Sequence, residues 1–210
     1  MAQTLDLTQL RQVLIGACQA IIDAREELTR ADRAIGDGDH GSGMSRGFTA
    51  ARDALQEAEL STAGDAFKTV GSAVLASSGG ASGAVFGTMF RAPGKVLQDQ
   101  VLTADGLSSA LQEAAAGVRA RGRAEPGQKT MLDALVPAAQ AAQDAQPGGL
   151  LAVARAAADA AAAGSAATTD LVARVGKAKS LGERSLGHRD PGAISVAILL
   201  EAIAEGIEEV

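Results

Sequence analysis

Residues 7–30 read LTQLRQVLIGACQAIIDAREELTR, and the fold class turns on this stretch. Apolar residues recur at steps of three and four along it, as in the series Leu10, Leu14, Ala17, Ile21, which is the spacing of one helix face. The stretch holds neither Pro nor a Gly cluster, so a helix is expected from Leu7 to Arg30. Cys18 lies within the same apolar series and reads as a small core residue.

Further helical patterns follow outward from it. They run from Gly43 to Leu60, Ala63 to Ala76, Ser82 to Leu102, Ala104 to Arg121, Gly127 to Ala145, Gly149 to Ala163, Thr168 to Val175 and Pro191 to Ile207. Strand-like alternation is absent from the pattern, and so is any repeat of solenoid length. Composition agrees with an all-α reading. Hydrophobic residues make up 47% but aromatics only 2%, with no Trp and no Tyr. Ala and Leu lead the helix scale, whereas sheets favour β-branched and aromatic side chains. About eight helices with short connections imply antiparallel neighbours in a bundle or barrel. No linker divides the chain, so one domain is expected over residues 1–210.

The charge balance of 19 basic and 25 acidic residues gives a net charge of -6 without a basic stripe, which argues against nucleic acid as a ligand. A single cysteine cannot form an internal disulfide and fits a reducing compartment. The N-terminus MAQTLDLTQL has no basic region ahead of an apolar run, and no long uncharged apolar span suggests a membrane segment. A cytoplasmic location is the expectation.

The chemistry is concentrated in four joints between helices: Ala31–Gly43 (ADRAIGDGDHGSG), Ser77–Gly83 (SSGGASG), Arg121–Thr130 (RGRAEPGQKT) and Gly176–Gly192 (GKAKSLGERSLGHRDPG). In an antiparallel bundle alternate joints fall at the same end, so the four can line one pocket. In the first, Asp32, Asp37 and Asp39 offer oxygen ligands beside Gly36, Gly38 and Gly41. Oxygen ligands with no Cys and one His suit a hard cation, Mg²⁺ or Ca²⁺, better than zinc. The plain alternative is a helix-end Asp32 followed by an Asp-Gly turn. An EF-hand fails at its twelfth position, which counted from Asp37 is Phe48 and not Glu.

Ser77 to Gly83 leads into an apolar helix with Ser82 as candidate N-cap, and Asp190-Pro191-Gly192 opens the last helix with Asp190 as N-cap. Either is an ordinary helix start, or a place where phosphate meets free amides and the positive end of a helix dipole. Neither the P-loop nor the dinucleotide fingerprint occurs. Lys129, Lys177, Lys179, Arg184, His188 and Arg189 either solvate the surface or neutralise phosphate oxygens.

Read together, Asp32…Gly36-Asp37-Gly38-Asp39-His40-Gly41, Gly79-Gly80-Ala81-Ser82-Gly83, Arg123-Ala124-Glu125-Pro126-Gly127 with Lys129-Thr130-Met131, and Leu181-Gly182-Glu183-Arg184-Ser185…Gly187-His188…Asp190-Pro191-Gly192-Ala193 resemble the nucleotide-binding L subunit of dihydroxyacetone kinases. The four blocks cover nearly the whole chain, in order. The resemblance implies an eight-helix antiparallel barrel with ADP or ATP capping one end. Asp32, Asp37 and Asp39 would hold two Mg²⁺ ions. His40, Gly41, Ser42 and Gly43, with Ala81 and Ser82, would line the phosphates. Gly122, Met131, Lys177, Asp190, Pro191 and Gly192 would contact nucleotide. The family often has Arg where Lys177 aligns. No residue is assigned a catalytic role.

The family divides by phosphoryl donor. ATP-dependent kinases carry this domain behind a larger substrate-binding one. In the phosphotransferase-linked type it is a separate chain whose bound ADP is recharged from phosphoenolpyruvate by a phosphohistidine protein, while dihydroxyacetone sits on a partner subunit. A chain of 210 residues with Asp-His-Gly followed by Met44 resembles the second type. The competing readings are a small ATP-dependent kinase subunit acting on another hydroxylated or acyl substrate, and a helical Ca²⁺-binding interaction module.

Overall fold

A computed structural model describes residues 4–210. Its first helix is started by Asp6, whose carboxylate accepts the amides of Thr8 (2.8 Å) and Gln9 (2.9 Å), while the Gln9 side chain accepts the Asp6 N–H (3.1 Å). This reciprocal capping launches α1 (Leu7–Asp23). The single helix expected over residues 7–30 is in fact two. The chain turns at Ala24 (φ -76°, ψ 2°) into α2 (Arg25–Ile35). The turn costs few backbone hydrogen bonds, since Ala24 N–H still reaches the Ala20 carbonyl and Leu28 N–H the Ala24 carbonyl, both at 3.0 Å. No Gly or Pro marks it.

The remaining helices are α3 (His40–Glu57), α4 (Ala63–Ser77), α5 (Gly80–Arg91), α6 (Ala104–Gly122), α7 (Leu132–Asp144), α8 (Leu150–Ala167) and α9 (Pro191–Glu209). Three expected helices are shorter than their patterns suggested. The one beginning near Ser82 stops at Arg91, where Ala92–Lys95 winds into a 3₁₀ turn around Pro93, which has no N–H to donate. The one expected from Gly127 begins at Leu132, because the Asp133 carboxylate takes the amides of Gly127 and Thr130 into a loop. Thr168–Val175 keeps only a 3₁₀ turn at Thr168–Asp170, since Ala173 N–H goes to Ser185 Oγ and Arg174 N–H to the Gln128 carbonyl. Two strands of three residues, β1 (Thr4–Asp6) and β2 (Val101–Thr103), pair antiparallel with Leu5 opposite Leu102. Three residues are too few to show an alternation in the sequence.

Packing closes a ring. Going round it, α1 meets α3, then α4, α5, α6, α7, α8 and α9, and α9 returns to α1; α2 lies outside, against α3. All eight ring members contribute to one continuous apolar core, in which Cys18 is buried and its thiol is pushed up to about 12 by desolvation. The four Phe residues sit there too, with Phe90 between Phe48 (5.8 Å between ring centres) and Phe67 (6.2 Å). By length and mean hydropathy Leu150–Asp170 could cross a membrane. In this fold Val153, Ala154, Ala157, Ala158 and Ala161 bury one side of that helix in the ring. The even connections alternate up and down, so α3, α5, α7 and α9 all start at the same end.

Candidate functional site

Those four helix starts surround a cavity of about 470 Å³. The amides they leave free can be counted from the first helical bonds. In α3, His40 N–H donates to Asp32 Oδ2 (3.0 Å) and Gly43 N–H bonds the Asp39 carbonyl (2.9 Å), which leaves Gly41 and Ser42. In α5, Gly83 N–H bonds the Gly79 carbonyl (3.1 Å), leaving Gly80, Ala81 and Ser82. In α9, Ala193 N–H is capped by Asp190 Oδ2 (2.8 Å) and Pro191 has none to give, leaving Gly192. Donors from several helices, with their dipoles aligned, form an anion cradle.

Gly79 and Gly80 make that cradle accessible. Both have left-handed φ values (74° and 60°), and a Cβ built on either would meet nothing within 4 Å. Gly79, not Ser82, is the N-cap of α5. The expected Asp190 cap with Pro191 at the first helical position is present.

The three aspartates line the same cavity. Asp32 projects from α2 and is nearly buried. Asp37 is paired with the Lys177 ammonium, whose hydrogen bond holds the carboxyl below the usual carboxylate range and raises Lys177 in return. Asp39 precedes α3 without capping it. They do not close into a ready-made metal cluster, and among the described residues no three His, Cys, Asp or Glu side chains do. Asp32 faces the His40 amide, and Lys177 supplies the counter-charge that a cation was expected to supply. The donor set nevertheless fits Mg²⁺, which takes one or two carboxylates and fills its octahedron with water and phosphate oxygens.

Of the other residues singled out from sequence, His40, Ser42, Gly43, Ala81, Ser82, Gly122, Met131, Lys177, Asp190, Pro191 and Gly192 line the cavity. Gly41 does not line the cavity. A Cβ there would lie 2.2 Å from Thr29 Oγ1 and 2.3 Å from the Arg25 carbonyl, so this glycine lets α3 approach α2. Lys179, Arg184, His188 and Arg189 lie off the cavity as well, and Arg189 donates to Ser165 Oγ (2.7 Å).

Lys129 also lines the cavity, with its ammonium bonded to the main chain. It is 2% exposed, adopts a left-handed φ of 61°, and donates its ammonium to the carbonyls of Thr168 and His188. It clamps both ends of the segment that carries Lys177, and burial lowers its pKa. Asp190 N–H reinforces the clamp through Thr168 Oγ1 (2.9 Å). Burial pushes the Asp190 carboxyl up to about 7.

Sequence reading missed Arg46, which lines the cavity and donates to the Ser78 carbonyl (3.1 Å). Its position one turn after Ser42 on α3 was the available signal. It also missed the apolar wall of Val85, Phe86, Val118 and Leu132, which together with Met131 faces the cradle. In sequence these residues are indistinguishable from core.

Comparison with known proteins gives consistent results. The chain is 40% identical to the ADP-binding subunit DhaL of the PEP-dependent dihydroxyacetone kinase of Escherichia coli, over 88% of this chain and 89% of that one. It is 35% identical to the corresponding ADP-binding subunit of dihydroxyacetone kinase 1 of Listeria innocua, over 89% of this chain and 90% of that one. The fold matches the crystal structure of the dihydroxyacetone kinase of C. freundii in complex with AMP-PNP and Mg²⁺, with a TM-score of 0.69 and 28% identity. That match covers 93% of this chain and spans about a third (33%) of the solved one. Residues 34–205 match the DAK2 domain, and the chain belongs to that family.

Proposed function

We propose that this chain is the ADP-holding subunit of a phosphoenolpyruvate-dependent dihydroxyacetone kinase, acting as one nucleotide-binding unit. The observation that carries this reading is the meeting of three aspartates and the free amides of several helix starts in one cavity with an apolar wall. The amides of Ser42, of Gly80 to Ser82, and of Gly192 hold phosphate oxygens. Val85, Val118 and Met131 cover the base and exclude water. Asp32, Asp37 and Asp39 would hold Mg²⁺, which when bound neutralises charge on the phosphate oxygens during transfer. Lys177, relieved of Asp37, is placed to face the same oxygens. Lys129 keeps the Lys177 segment in position.

The substrate belongs on a partner subunit. The chain has two histidines. His40 is buried between helices, and His188 is exposed with its carbonyl held by Lys129. Neither is placed to bind a three-carbon ketone covalently. A phosphohistidine protein fed by phosphoenolpyruvate, in the cytoplasm, would then recharge the bound ADP.

The test is reconstitution. The purified chain with Mg²⁺, ATP and dihydroxyacetone should yield no sugar phosphate above background. Adding the dihydroxyacetone-binding subunit should give a single round of transfer, and a phosphohistidine donor should make it continuous. Sustained turnover by the chain alone would overturn the subunit reading.

A further inference from the structure

The His40 imidazole occupies an unusual place. It is 8% exposed and wedged between three of the helix starts that form the cradle. Nδ1 lies 3.1 Å from Ser82 Oγ on α5, and Nε2 lies 2.8 Å from Ser195 Oγ on α9. The ring itself belongs to the first residue of α3 and rests against Phe86, 6.0 Å between ring centres.

The direction of these bonds can be derived. Ser195 Oγ is 2.9 Å from the Pro191 carbonyl, which can only accept. The one hydroxyl proton of Ser195 is therefore spent on Pro191, and Ser195 must accept from His40. Nε2 carries the ring proton. The ring is buried and its two nitrogens face hydroxyls and not a carboxylate, so the site holds it neutral, with one ring proton, and Nδ1 is bare. Ser82 must then donate to it. The result is a one-way chain, Ser82 O–H to His40 Nδ1, His40 Nε2–H to Ser195 Oγ, and Ser195 O–H to the Pro191 carbonyl. A second consequence concerns Ser82. Its only proton points at His40, so toward the cavity it presents lone pairs and cannot donate to a phosphate oxygen.

We infer that His40 is a positioning residue, fixed in the Nε2–H tautomer, that sets the spacing of the α3, α5 and α9 starts and hence the geometry of the amides between them. The link to affinity rests on the nucleotide reading above; the tautomer does not. A hydrogen bond between buried groups is worth about 1–1.5 kcal/mol, so loss of one arm corresponds to roughly tenfold in a binding constant when it is expressed through the cradle.

The experiment uses the full chain labelled with ¹⁵N-histidine, with His188→Gln to assign the two rings. A two-bond ¹H–¹⁵N correlation spectrum of the nucleotide-free protein at neutral pH should show Nε2 protonated and Nδ1 bare for His40. Titration calorimetry with ADP and Mg²⁺ then compares variants. Ser195 is buried and does not line the cavity. Ser195→Ala should bind ADP several-fold to tenfold more weakly while its helical circular dichroism is unchanged. His40→Gln, which keeps a donor near the Nε2 position, should bind more tightly than His40→Asn, which does not. A protonated Nδ1, a tautomer-averaged ring like that of a free imidazole, or wild-type ADP affinity in Ser195→Ala would each overturn the proposal. Absence of ADP binding by the parent chain would instead count against the nucleotide reading, and leave the tautomer result to stand or fall by itself.

Discussion

Gly80→Ala separates the cost of a backbone conformation from the cost of blocking a site. Gly80 has a φ of 60°, and a Cβ there would meet no atom within 4 Å. Steric overlap is therefore absent, and the stability penalty reduces to holding Ala in the left-handed region, about 1–2 kcal/mol. For a chain of this length that is a fall in Tm of roughly 2–8 °C. Gly80 lines the cavity, beside the free amides of Gly80, Ala81 and Ser82, so an added methyl there competes with a ligand for that space. If two amide-to-phosphate hydrogen bonds are lost, at roughly 1.5–3 kcal/mol each for bonds to a charged group, the total is roughly 3–6 kcal/mol. That corresponds to a hundred- to ten-thousandfold, on the order of two to four decades in Kd. Gly127→Ala is the matched control. Its φ of 87° is also left-handed and its Cβ space is also open, but it lies off the cavity. The two variants should melt similarly, and only Gly80→Ala should lose ADP by calorimetry in the presence of Mg²⁺. Parent-like affinity in Gly80→Ala, or equal losses in both, would refute the cradle.

Asp37→Asn should abolish Mg²⁺-dependent ADP binding and leave the free chain as stable as the parent, because its pairing with Lys177 is solvent-exposed and contributes little; thermal melts with and without ADP check both halves. The pH dependence of Asp190 has a definite sign. Its folded pKa of about 7 lies above the ordinary value of 3.8, so the stability it favours is complete below about pH 4 and is lost as pH rises through 7. Asp190→Asn retains an oxygen for Ala193 N–H without ionising, so urea melts should show it matching the parent near pH 4 and exceeding it near pH 8. A parent-like slope in that variant would place the titration elsewhere.

Much of this architecture was legible because helical period and glycine-rich joints are local signals. Leu10, Leu14, Ala17 and Ile21 had to share a face, and all are buried. What escaped depended on partners distant in sequence. The bend at Ala24 keeps its hydrogen bonds and so leaves no breaker residue to read. Asp133 does lie in a helix, α7, but its sequence position gives no sign that its carboxylate captures the Gly127 and Thr130 amides and delays the helix start. Lys129 read as a cation that either solvates the surface or meets phosphate, but its ammonium satisfies two main-chain carbonyls brought from 39 and 59 residues away. Gly41 stood in a motif of cavity residues, yet its lack of a side chain serves the α2–α3 contact. The motif assigned these residues to one end of the molecule, and only tertiary packing could divide them between holding a ligand and holding each other.

Native mass spectrometry of the gently purified chain, followed by thermal melts after stripping and re-adding ligand, tests the central claim most directly. The account predicts a bound mass equal to ADP with Mg²⁺, released only slowly, and a large upward shift in Tm when both are restored. A chain that flies free of nucleotide and shows no thermal shift with ADP and Mg²⁺ would contradict it.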